Sequence, residues 1–188
     1  MTAHIAIAFL SGLFLYQPLI SFGLIPSSAE GMSGQPYRAL GYSLAGGILI
    51  ALFGFSSWIL HYLVLGPLKA LPLELPLLML LMWGWHYLMK RTFGRRSLVG
   101  RHLPFYFLNI AVLGSGLLLI HYTPDGILSA LSRAIGISLG FMISNLLISF
   151  FREKSERGSF SRTLRGWPVY LLLCSVVWLS YHGMSLLF

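Results

Sequence analysis

The chain has 188 residues, 56% hydrophobic and 10% charged, with a mean hydropathy of +0.78; soluble domains carry about 25% charged residues, so this composition describes an integral membrane protein. The 13 Lys and Arg against 5 Asp and Glu give a net charge of +8, but they sit in loops between apolar segments, where they fix topology and meet membrane lipid, not on a water-soluble body that would grip nucleic acid. A lone cysteine, Cys174, inside an apolar run excludes a disulfide framework, a CxxC motif and a thiolate metal cage.

A hydrocarbon core of about 30 Å needs roughly 20 apolar residues as helix. On that ruler the sequence predicts an all-α membrane protein of six spans, near 4–25, 40–65, 71–90, 103–121, 127–151 and 167–187. The first run carries only His4 before its apolar core and is followed by five more spans, so it reads as a span and not as a signal peptide. Pro26 and the Ser/Gly-rich stretch to Pro36 end span one, Gly66-Pro67 ends span two, and a Lys/Arg run ends span three. Span four stops at Thr123-Pro124-Asp125-Gly126, and span five runs into the charges from Arg152 to Arg157.

Loop charge sets the orientation. Loop one holds Arg38, loop three holds Lys90, Arg91, Arg95, Arg96 and Arg101, and loop five holds Arg152, Lys154, Arg157, Arg162 and Arg165. Loop two has only Lys69, loop four has none, and Arg133 lies inside span five. The odd loops are therefore expected on the cytoplasmic side, with both termini on the outer, periplasmic side of a bacterial inner membrane.

Six spans divide into two sets of three, about 1–92 and 100–188, which would cross the membrane in opposite senses as an inverted repeat. The first helix of each half is the irregular one. Span one contains Gln17-Pro18 and Gly23 to Pro26, and span four opens on HLPFYFLNIAVLGSG, with Asn109, Gly114 and Gly116 where plain aliphatic residues would suffice. Irregular backbone at membrane depth is expected only where it faces protein or a cavity. Two kinked helices in an unrelated six-helix bundle are the other reading of the same pattern.

Few residues offer chemistry of their own. The six histidines share no metal-ligand spacing on any one helix, so interfacial or hydrogen-bonded roles compete with a facing pair holding haem. The five acidic residues, Glu30, Glu74, Asp125, Glu153 and Glu156, all map to loops or span ends. A chain that pumped ions alone is expected to hold a carboxylate near the midplane. Arg133 can snorkel outward, pair with Glu74 or Asp125, or anchor span five. Asn109 and Asn145 are placed to hydrogen-bond neighbouring helices, and the Gly136/Gly140 GxxxG, with Gly41, Gly46 and Gly47, allows close approach within the chain or to a partner.

Three motifs carry a resemblance to the RnfA/NqrE family, six-span subunits of the Rnf and sodium-pumping NADH:quinone oxidoreductase complexes. Leu103-Pro104 followed by Asn109-Ile110-Ala111-Val112-Leu113-Gly114 is similar to the family's LP…NCAVLG. Phe151-Arg152-Glu153-Lys154 through Arg165-Gly166 and Gly183 resembles its IRER…FRG…G, and Gly23-Leu24-Ile25-Pro26 resembles its GLCP. Lys90-Arg91-Thr92 looks like its RKT, so the likeness spans nearly the whole chain.

The resemblance implies electron transfer between ferredoxin or NADH and a membrane acceptor, coupled to Na+ or H+ movement. It also implies an RnfE/NqrD-like sister subunit: two of that partner's cysteines and two of the family member's own would surround an iron–sulfur centre in the membrane. Here the two cysteine positions are Ile25 and Ile110, and an aliphatic side chain has no lone pair for iron. A divergent subunit is therefore expected, one that keeps the scaffold without its own redox centre and uses Pro26, Asn109, Gly114, Arg152 and Glu153 for packing and assembly. The alternative is a small-solute permease built on the same inverted repeat.

Overall fold

The computed structural model describes residues 2–14, 36–69, 71–94, 97, 110–122 and 126–157, together with positions 172, 175, 176, 179, 180 and 183. Among these residues the structure is all-helical, without a strand. Helix α1 is Thr2–Phe14, α2 is Pro36–Ile59, α3 is Glu74–Phe93, α4 is Ile110–Tyr122 and α5 is Ile127–Arg157. The described positions between 172 and 180, and Gly183, are helical and exposed.

The sequence explains where these helices begin and end. Helix α2 opens on Pro36, whose fixed φ and missing N–H suit a first turn. At its far end the chain widens into a π-helical turn, Leu60–Leu65, closed by Gly66 N–H donating to the His61 carbonyl at 2.8 Å. Pro67 accounts for the widening, because its ring would clash with a carbonyl one normal turn back. A 3-10 turn, Leu71–Leu73, leads into α3. Glu74 stands at the positive end of the α3 dipole and Lys90 and Arg91 at the negative end, and Gly94 follows with φ +59°. Gly126, at φ +106°, accepts from Ala130 N–H and starts α5.

The segments Leu40–Leu65 and Ile127–Phe150 are each long and apolar enough to cross a bilayer, with mean hydropathies of 2.0 and 1.6. Helix α5 continues to Arg157, past the end near 151 that the charges suggest. Arg, Glu and Lys are good helix formers, so the charged run ends the apolar segment without ending the helix.

Helices α5 and α2 form the centre. Helix α1 packs along α5, α5 along α2, α4 along α2, and α3 more lightly on α2. Of the largest fully buried side chains, Phe53, Leu49 and Ile50 come from α2 and Phe141 and Ile137 from α5, with Leu78 and Met82 of α3 and Leu119 of α4 completing the core. On the opposite face of α5, Leu131, Ile135, Leu139, Ile143 and Leu147 stay exposed. That four-residue spacing is one stripe of a helix, and an exposed apolar stripe is what lipid requires.

Hydroxyl and indole groups bridge the helices. Ser132 Oγ donates to the Ile5 carbonyl at 2.9 Å and Ser138 Oγ to the Gly47 carbonyl at 2.7 Å. Tyr62 OH donates to the Ile120 carbonyl at 3.0 Å and Trp85 Nε1–H to Ser56 Oγ at 2.8 Å. Each is worth about 1 kcal/mol in a membrane.

Candidate functional site

The stretch that carries the family-like motif is continuous α-helix from Ile110 onward. Ala111 and Val112 are 3% and 0% exposed, and Gly114, Ser115 and Gly116 are buried. Ser115 Oγ donates to the Val112 carbonyl at 2.6 Å, so its own helix satisfies it. At Gly116 a Cβ would lie 2.6 Å from Phe53 Cε1 and 2.9 Å from Ser57 Oγ. Gly114 and Gly116 therefore do not interrupt α4; they turn a small-residue surface to the bundle, and Gly116 meets α2 directly. Ile25, Pro26 and Asn109 lie outside the described residues.

Gly136, the first glycine of the GxxxG, acts within the chain. A Cβ on Gly136 would collide with the Phe9 carbonyl oxygen and lie 2.9 Å from Leu13 N, and one on Gly12 would lie 2.5 Å from the Arg133 carbonyl oxygen. Backbone meets backbone where α1 crosses α5. Gly47 allows close approach between α2 and α5, with the side chains of Met142 and Ser138 against it.

Two polar expectations change. Arg133 does not snorkel outward: it is 8% exposed, and its carbonyl and Cγ pack on Gly12. Glu74 pairs not with Arg133 but with His61, whose Nδ1 lies 3.1 Å from Oε2. Asn145, placed by the sequence to bond a neighbouring helix, is 1% exposed, and among the described residues neither amide atom has a hydrogen-bond partner. Such a group costs about 1–3 kcal/mol. Arg152 and Glu153 stand in the helical extension of α5, with Glu153 half-buried.

Sequence reasoning missed one constellation. At the end of α3 remote from Lys90 and Arg91, three helix ends meet around a cleft of about 600 Å³. His61 and Tyr62 come from the π-helical turn, Glu74 and Leu75 from the start of α3, and Leu117 and His121 from the end of α4. His61 and Glu74 are 13 positions apart. The signal was two polar residues flanking one short connector, at the ends of adjacent spans.

Helices of this length and apolarity, closed on one another by glycine and serine, define an α-helical multi-pass membrane protein. A family model described as "Rnf-Nqr subunit, membrane protein" matches residues 5–188. The chain belongs to that Rnf-Nqr family. It is 27% identical over 164 residues, 83% of this chain and 85% of the relative, to the A-type subunit of the Na+-translocating ferredoxin:NAD+ oxidoreductase complex of Acetobacterium woodii. It is 28% identical over 173 residues to the A-type subunit of the ion-translocating oxidoreductase complex of Aromatoleum aromaticum, covering 89% of this chain and 88% of the relative. The corresponding protein of Shewanella amazonensis is 25% identical over the same length and shares.

Proposed function

We propose that the chain is the A-type integral subunit of an ion-translocating electron-transport complex, passing electrons from ferredoxin or NADH to a membrane acceptor while Na+ or H+ moves. The observation that carries this reading is likeness to A-type subunits along more than four fifths of both chains. Those relatives favour an electron-transport role over a solute permease.

In this reading the chain is one membrane domain of six spans, in two inverted repeats of about 1–92 and 100–188, each with a broken first helix. The helix contacts support it. Helix α1 packs on α5, α4 packs on α2, and α2 and α5 pack together. Exchanging the first and second helices of the two halves turns the α1–α5 contact into the α4–α2 contact, as a two-fold axis in the membrane plane would. The basic odd loops put both termini on the periplasmic side of the inner membrane.

The donor set does not suit the iron–sulfur centre that the family resemblance implies. Ile25 and Ile110 stand at the two thiolate positions. The chain then contributes scaffold and an assembly surface for an RnfE/NqrD-like sister subunit, with Pro26, Asn109, Gly114, Arg152 and Glu153 as structural positions, and any redox centre belongs to its partners.

Affinity purification of the tagged chain from its own membranes tests the proposal. Other subunits of a redox complex should co-purify, and deletion should abolish ferredoxin- or NADH-driven ion uptake by membrane vesicles. A chain that purifies alone, with uptake intact after its deletion, would contradict it.

A further inference from the structure

Besides the cleft at the meeting of α2, α3 and α4, a second hollow lies along the same pair of helices, α2 and α3. A groove of about 480 Å³ runs between α2 and α3, lined by Leu60, Leu77, Leu81, Gly84, Trp85 and Leu88 among others. It starts one residue from His61 in the π-helical turn and one turn from Glu74 on α3. Glu74, Leu81, Trp85 and Leu88 share one stripe of α3, by the three-to-four-residue spacing of helix faces. From Glu74 to Leu88 the helix rises about 21 Å, more than one leaflet of a hydrocarbon core about 30 Å thick.

The two hollows differ in chemistry. The groove wall is nearly all apolar, its one hydroxyl, Ser56, being occupied by the Trp85 indole. Gly84 keeps it open, since a Cβ there would meet no atom within 4 Å. The cleft holds the carboxylate of Glu74, the imidazoles of His61 and His121 and the phenol oxygen of Tyr62 above Pro72, Leu75, Leu117 and Ile120. Glu74 is the acidic side chain among the cleft's described lining residues, on a chain whose overall charge is +8. It also lies at the end of the Leu40–Leu65 span, beside the exposed turn of residues 66–69, at the depth where lipid headgroups sit.

We propose that the α2–α3 seam is a phospholipid site, with the ammonium of an ethanolamine headgroup held by Glu74 in the cleft and one acyl chain lying in the groove. Charge decides the headgroup. Among the described lining residues the one acid is Glu74, its carboxylate oriented by His61 at 3.1 Å, and a primary ammonium offers it N–H donors that a choline lacks. A glycerol headgroup brings only the negative phosphate.

The test uses the full-length chain in nanodiscs of equal ethanolamine, choline and glycerol phospholipids, with the lipids retained after a detergent wash identified by native mass spectrometry. The wild type should hold one ethanolamine lipid per chain, favoured by roughly tenfold, the scale of one hydrogen bond to a charged group. Glu74→Gln should remove that preference. Gly84→Leu, which leaves the His61–Glu74 pair untouched and meets no neighbour at its Cβ, should lower retention of every lipid by filling the groove. Equal retention of the three lipids by the wild type, a preference for the glycerol lipid, an ethanolamine preference that survives Glu74→Gln, or lipid retention unchanged by Gly84→Leu would overturn the proposal.

Discussion

Two of the glycine-lined crossings in this bundle close in different ways. Where α1 crosses α5, Gly12 and Gly136 face main chain: the Arg133 carbonyl on one side, the Phe9 carbonyl and Leu13 amide on the other. Where α4 crosses α2, Gly116 faces the edge of the Phe53 ring and the Ser57 hydroxyl. Main chain in a helix cannot rotate away, whereas a side chain can change rotamer at a cost of order 1 kcal/mol. The first crossing should therefore reject an added methyl outright, and the second should accommodate it in part.

Alanine substitutions separate the two. Gly136→Ala should cost most, about 3 kcal/mol, at the upper end of overpacking penalties, read as a lowered unfolding midpoint in detergent. Gly12→Ala, against the same backbone surface, should cost about 2 kcal/mol. Gly116→Ala should cost about 1–2 kcal/mol, and Phe53→Leu in the same chain should recover part of it. A Gly116→Ala loss as large as that of Gly136→Ala, with no recovery, would break the distinction. At the small end, Gly54→Ala meets only Leu119 Cδ2 at 3.7 Å and should be near neutral. Gly84→Ala meets nothing within 4 Å and should stabilise by up to about 1 kcal/mol through helix propensity.

How far the sequence foretells this arrangement depends on whether a feature is local. Gly66-Pro67 and Lys90-Arg91 mark the ends of the second and third apolar segments because proline and charge act on the residues beside them, and the structure has helix ends there. Charge marks the end of the fifth apolar segment, which closes at Phe150, but not the end of α5, since Arg152 to Arg157 stay helical. The small residues announce close approach, but not which helix each will meet: Gly136 serves α1, and Gly47 serves α5. Asn145 shows the same limit. A buried polar position is legible, but its lack of a hydrogen-bond partner among the described residues depends on what the neighbouring helices present at that level. The His61–Glu74 pair is hidden in the sequence because two chain segments must fold back across a turn to bring it together.

Family membership and the glycine crossings describe a scaffold; the claim that distinguishes this chain is that it supplies no thiolate to a redox centre. Cys174 is its only cysteine, so one substitution decides the matter. In the complex purified with its partner subunits, Cys174→Ser should leave cluster iron, labile sulfide and electron-transfer rate unchanged. Loss of a cluster on that substitution would show that this chain ligates iron after all and would contradict the account.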